Sequence, residues 1–360
     1  MGFGKLAVRA AIISIWIAVF FFVLSMTRFI TPFKEDVPTL NIFSWPEILS
    51  AETIERFEKE TGIKVRRHYY TSNEELLVKL KATEGKGYDL IIPSDYMVKK
   101  LIEEDLLKPV DHSQLSFKGH FNPRLINQPF DPENTYSIPY IWEVLGFGIN
   151  TEQYETLPFD PTWNEVFRPT HPNTRISMIN DPIEAIDCTA HHLFGAKKEI
   201  GPLEIAQIHS VLTEQKPLVE AYAGVRGDYL LITKNCSLAV IPSSYVLRTT
   251  KSYPHIDFMI PKSYTFLTIE NFCIPKKCEN TEIAYTFLNY IYKPDVFALE
   301  AETYHNFPAT TNIRPYMKSS PTYLKTLDAL DHYEGTFYYT RDLLPETESR
   351  SLWIKVKAAS

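Results

Sequence analysis

The chain is poor in the residues that most chemistry requires. Its 360 residues hold four cysteines, Cys188, Cys236, Cys273 and Cys278, and no C-x-x-C pair, so thiol redox and zinc-ribbon functions lack their signatures. Four cysteines permit two disulfides in three connectivities, and no spacing selects one. Cys273 lies in the apolar run Asn271-Phe272-Cys273-Ile274-Pro275 and reads as a buried free thiol. No G-x-S-x-G elbow, H-E-x-x-H helix, Walker loop or kinase motif set occurs, and the chain is read as a non-enzyme without cofactor or metal. The adjacent pair His191-His192 is a poor chelate, because neighbours on a helix point about 100° apart. Basic residues are also scarce: 37 against 44 acidic, a formal net charge of -7 and a pI of about 5.9. Without residues 1–36 the count is 33 against 42, a net of -9. Phosphate backbones need clustered Lys and Arg, so nucleic acid is excluded as a partner, and the acidic balance leans toward cations. Repeats and low-complexity tracts are missing too.

Long apolar runs are confined to the N-terminus. Lys5 and Arg9 precede an uncharged stretch, Ala10 through Thr27, that ends at Arg28. At ~1.5 Å per residue it reaches roughly 27 Å, just under a hydrocarbon core of ~30 Å. The positive flank keeps the N-terminus in the cytoplasm and sends the rest outward. With no small-x-small cleavage site and no cysteine for lipid attachment, residues 1–36 read as an uncleaved membrane anchor, with a cleaved signal as the alternative.

The remainder alternates helix and strand signals and is long enough for two lobes. Ser50 caps a helix over Glu52–Glu60 that Gly62 closes, and Ile63–Tyr70 reads as a strand. Ser72 caps Glu74–Thr83, the apolar run Asp89–Pro93 is a strand buried on both faces, and Tyr96–Leu107 returns to helical spacing. Such β-α-β alternation predicts an α/β fold whose parallel sheet binds ligands at strand carboxyl ends, where Trp45 and Ser94 fall. Phe121–Glu133 reads as a surface excursion and Ile138–Asn150 as an extended hinge crossing. Beyond it, Arg175–Ile179 is a strand before a helix started by Pro182, Leu238–Ile241 is another strand, and Phe266–Pro275 returns toward the first lobe.

Two segments, Asn41-Ile42-Phe43-Ser44-Trp45-Pro46-Glu47 and Tyr88-Asp89-Leu90-Ile91-Ile92-Pro93-Ser94-Asp95-Tyr96, end an apolar strand by presenting an aromatic beside a carboxylate. That combination suits an alkyl amine, since the ring covers methylenes and the carboxylate takes the cation. These segments, with Phe57–Val65, Pro129–Pro132, the Ser-Ile-Pro-Tyr-Ile-Trp run at 137–142 and Lys293–Val296, resemble the spermidine/putrescine-binding proteins of ATP-binding cassette importers, in order from about Pro38 to Pro315. The resemblance implies a type II periplasmic binding protein, each lobe a mixed sheet flanked by helices, joined by crossing strands. Lobe 1 would take residues 37–145 and 268–313, and lobe 2 residues 146–267 and 314–360. It also implies a monomer that binds a polyamine and delivers it to the permease subunits of an importer at the membrane.

Carried over residue by residue, the resemblance places Trp45, Glu47, Ser94, Tyr96, Asp181, Glu184 and Glu270 in the ligand site. Asp181 and Glu184, at i and i+3 of a helix start, can aim into one cleft, although carboxylates there also complement the helix dipole. Two family tryptophans are replaced by Pro242 and Thr268, a family tyrosine by Ile48, and a family aspartate by Glu270. Tyr245 and Tyr264 are the candidates to refill the aromatic box. The alternatives are a receptor of this fold for another organic cation or for ferric ion, the latter through Tyr338-Tyr339 or Tyr304-His305, and a membrane-tethered sensor or scaffold that has lost transport.

Overall fold

The structure is a computed structural model that describes residues 11, 13–23, 37–154 and 159–359. Of the expected anchor, residues 11 and 13–23 are described, as an exposed helix, and the rest lies outside the described residues. No helix among the described residues is long and apolar enough to cross a membrane.

The first strand, β1 (Thr39–Ser44), pairs in parallel with β2 (Lys64–Tyr69) on one side and β3 (Leu90–Ile91) on the other. Between β1 and β2 runs the helix Ala51–Thr61, whose N-terminus is capped by the Ser50 hydroxyl accepting from the Thr53 N–H at 3.1 Å. Gly62 ends it with φ 72°, a left-handed turn that other residues resist. The Ser72 hydroxyl caps Asn73–Thr83 in the same way. The next helix spans Asp95–Glu103, shorter than the helical spacing suggested: Leu106 is buried but lies beyond it, where the chain turns through Asp105 at φ 55°.

The central feature is the 14-residue strand β4 (Ser137–Asn150), the expected hinge crossing. Its first half pairs antiparallel with β9 (Tyr264–Cys273), from Ser137 opposite Cys273 to Val144 opposite Leu267. Its second half lies between β7 (Leu238–Pro242) and β8 (Ile256–Met259), both antiparallel. The sheet continues from β7 through β5 (Ile176–Met178) to β6 (Val219–Tyr222), in parallel as alternating strands and helices demand. Two short strands complete it: β10 (Phe307–Pro308) on β4 and β11 (Thr336–Tyr338) on β9. Thus β9 and β4 lie side by side in the middle of one continuous, mixed sheet, joining its β2-β1-β3 end to its β7-β5-β6 end in the two-lobed periplasmic binding protein architecture.

Packing along β4 explains its glycines. A Cβ on Gly148 would stand 2.6 Å from Leu231 Cδ1 and 2.9 Å from Val246 Cγ2, so two helices lie directly on the strand backbone there. The proline-rich excursion at 121–133 is less superficial than its composition suggests. Leu125, Phe130 and Asp131 are buried, and Asp131 accepts from the Thr135, Tyr136 and Ser137 N–H groups, each at 2.9 Å, fixing the start of β4. All four cysteines are buried and free, so neither disulfide that their number permitted is formed.

Candidate ligand-binding cleft

Three strand ends meet around one carboxylate. Glu270 on β9 accepts from Trp45 Nε1, just past β1, at 3.0 Å on Oε2, and from the Ser94 hydroxyl, just past β3, at 2.7 Å on Oε1. Ser94 is itself held by Asn73 Nδ2 at 3.1 Å. The Trp45 ring leans on Tyr70 with centroids 4.7 Å apart. Glu47 follows at φ 56°, a left-handed conformation costly for a non-glycine residue, and its exposed side chain lines the cleft.

Across the ladder, Glu143 stands opposite Thr268 and Ile141 opposite Glu270. Directly opposed residues of antiparallel strands share a face, so Ile141, Glu143, Thr268 and Glu270 all look into the same space. Glu143 was not among the sequence candidates, yet a carboxylate between Trp142 and Val144 in an otherwise apolar strand was its signal. From the second lobe, the Ser244 hydroxyl donates to Glu143 Oε2 at 2.5 Å. The helix Ser243–Thr250 also brings Tyr245 and Arg248 to the wall. The enclosed space is about 330 Å³, the size of a small-ligand site.

The electrostatics are lopsided. Three carboxylates, Glu47, Glu143 and Glu270, line the cleft against one cationic side chain, Arg248, and Arg248 pairs with Asp228. Burial pushes the Glu270 carboxyl up to about 8; Asp95 and Glu143 add to the rise, while Ser94 and Trp45 oppose it. Burial likewise raises Glu143, against the opposing bond from Ser244. These groups form no ion pair with a Lys or Arg among the described residues.

The other expected residues lie outside this lining. Asp181 is exposed and caps the helix Pro182–Phe194, its Oδ1 accepting from the Ile183 and Glu184 N–H groups at 2.9 and 3.0 Å. Glu184 is exposed at the same helix start, and its carboxyl is pushed upward by lost hydration, then by Asp181 and Glu143. The Tyr96 side chain is exposed, its hydroxyl donating to Glu74 at 3.3 Å while staying near Asn73 and within the field of Glu270. Asp95 is buried and binds the Ile269 N–H at 2.8 Å, so it ties its helix to β9 rather than facing the cleft.

Of the two candidate tyrosines, Tyr245 lines the cleft. Tyr264 does not: it stacks on Trp163 at 5.7 Å and meets His191 at 4.2 Å inside the second lobe. Thr268 lines the cleft, and Pro242 ends β7. Tyr338 and Tyr339 cannot act as a pair, since one ring lies on His191 and the other on Phe130, on opposite sides of their strand. Tyr304 reaches the cleft, with its hydroxyl donating to the Leu49 carbonyl at 3.3 Å. No group of three or more His, Cys, Asp or Glu is placed to hold a metal among the described residues.

This geometry has close parallels. The family model described as bacterial extracellular solute-binding protein matches residues 86–321. The spermidine/putrescine-binding periplasmic protein of Salmonella typhimurium is 30% identical over 270 residues, covering 74% of this chain and 76% of that protein. The putrescine-binding periplasmic protein SpuD of Pseudomonas aeruginosa is 27% identical over 348 residues, covering 90% and 93%. Among solved structures, the spermidine/putrescine ABC transporter substrate-binding protein PotD of Streptococcus pneumoniae superposes with a TM-score of 0.76 at 24% identity, covering 89% of this chain and 99% of that one, and shares the fold. With its hinged two-lobed sheet and a cleft at the strand ends, the chain belongs to the bacterial extracellular solute-binding proteins.

Proposed function

We propose that this protein captures a spermidine- or putrescine-like cation between its lobes and hands it to the permease of an ATP-binding cassette importer. The observation that carries the reading is the carboxylate set on one sheet face beside Trp45. Glu143 and Glu270 are crowded together without a cationic partner, and their ionisation is held back until a cation arrives. Each charge-assisted hydrogen bond contributes about 1.5–3 kcal/mol and each cation–ring contact about 0.5–2 kcal/mol. Three or four such contacts, less the cost of association and closure, reach roughly -8 kcal/mol, a micromolar affinity.

In this reading Glu47, Glu143 and Glu270 take ammonium groups, and Trp45 and Tyr245 cover the methylenes. Ser94 holds Glu270 in place, and hinge bending at β4 and β9 brings Asp181 and Glu184 onto the ligand from the second lobe. Tyr96 joins the site only if closure turns its hydroxyl away from Glu74. The lobes divide at residues 37–145 with 268–313 and 146–267 with 314–360. The receptor works as a monomer outside the cytoplasm, held near the permease by residues 1–36. A thermal-shift panel of diamines, polyamines, amino acids and ferric ion tests the reading. Stabilisation by putrescine or spermidine supports it, and stabilisation by ferric ion alone would overturn it.

A further inference from the structure

The cleft is not uniformly acidic. At the second-lobe end, the Arg248 guanidinium lies over the Tyr245 ring with its carbon 4.6 Å from the centroid. One edge is clamped by Asp228, whose Oδ2 accepts from Arg248 Nη2 at 2.8 Å. Asp228 is buried and also accepts from the Tyr229 N–H at 2.7 Å, so the clamp is itself fixed. The Arg248 side chain keeps 43% of its surface open and makes no other hydrogen bond among the described residues, which leaves Nε and Nη1 available. Tyr245 lies within the fields of Glu143, Arg248, Glu47 and Asp228.

A guanidinium with one nitrogen spent and a second edge free, held over a ring, is a preorganised receptor for a carboxylate. It is also a poor neighbour for an ammonium group, because like charges in a partly desolvated cleft repel. We propose that Arg248 makes the cleft bipolar, so that it takes linear ω-amino acids as a second ligand class, with the ammonium at Glu143 and Glu270 and the carboxylate on Arg248. The ammonium end uses the same carboxylates as the polyamine reading and to that extent rests on it. The carboxylate end does not, because a diamine offers Arg248 nothing to bind.

The test is calorimetric titration of the purified protein and of its Arg248→Gln and Arg248→Lys variants with putrescine and with 4-aminobutanoate, 5-aminopentanoate and 6-aminohexanoate. For the wild-type protein, at least one amino acid should bind within about a hundredfold of putrescine, about 2.7 kcal/mol. In Arg248→Gln that amino acid should weaken by about twentyfold or more while putrescine tightens by about threefold, and Arg248→Lys should fall between. Opposite movements of the two ligands are the signature, since a variant that only damages the fold weakens both. Putrescine binding with no response to any of the amino acids overturns the inference and leaves the polyamine reading standing. Amino-acid binding without putrescine binding does the reverse. Parallel weakening of both ligands in Arg248→Gln and Arg248→Lys also overturns the inference.

Discussion

Glu270 lines the cleft and Asp181 lies outside its lining, and the two carboxylates are held in contrasting ways. Each Glu270 oxygen takes one hydrogen bond from an uncharged side chain, and the group is crowded by other acids. Asp181 is exposed and spends Oδ1 on two backbone N–H groups of its own helix. The first arrangement leaves a buried acid without a cationic partner among the described residues. The second stabilises a helix end whether or not a ligand is present. Position at a strand end therefore does not decide function; the contrast lies in what each carboxylate already binds.

The largest expected effect follows from Glu270. Replacing it by glutamine keeps the shape and removes the charge, so Glu270→Gln should weaken putrescine binding by about 2–3 kcal/mol, roughly 30- to 150-fold. The ligand-free protein should melt no lower than wild type, since the substitution removes an acid that burial disfavours. A lower ligand-free melting temperature with unchanged affinity would assign Glu270 to the fold instead.

Proton linkage sharpens the same contrast. Glu270 rises from 4.5 to about 8 in the folded protein, and Asp95 from 3.8 to about 7. Between these limits the folded state holds protons that the unfolded chain has released. Their contribution to stability is therefore complete at low pH and is lost as pH rises through 7 and 8. The ligand-free melting temperature should fall from about pH 4.5 to about pH 8 and level off above, and saturating putrescine should flatten that fall. Affinity should rise with pH over the same interval, by up to about tenfold per unit if one proton leaves on binding.

Asp181 gives the intermediate case. Asp181→Asn should weaken amine binding by about 1.5–3 kcal/mol if the second lobe closes onto the ligand, with little change in stability because asparagine still caps. Asp181→Ala should add a stability loss of about 1 kcal/mol from the missing cap. Unchanged amine affinity in both Asp181→Asn and Glu184→Gln would confine the site to Glu47, Glu143 and Glu270. The smallest effect concerns ligand length. With Thr268 where the resembling family has a tryptophan, shape selection along the methylenes is loose, and putrescine and cadaverine should differ by about tenfold or less.

The residues show which of these features a sequence can carry. Helix caps at Ser50, Ser72 and Asp181, the long crossing at 137–150 and the strand ends at Trp45 and Ser94 were legible because each rests on local chemistry or period-two patterning. Glu143 was missed although the same alternation points it into the cleft, because its facing partner Thr268 is 125 residues away and the pairing register is a tertiary fact. Arg248 had no local signal at all, since its role depends on a clamp from Asp228, 20 residues earlier. Where Tyr264 and Tyr96 point was not legible for a related reason: an aromatic near a strand end packs inward or outward according to neighbours that only the fold supplies.

Calorimetric titration of the purified protein with putrescine at about pH 8, in two buffers of different ionisation heat, tests the central claim most directly. One-to-one binding at roughly micromolar affinity is expected, with net proton release that diminishes in Glu270→Gln. No heat and no thermal shift at millimolar putrescine or spermidine would contradict the claim that these carboxylates form an amine site.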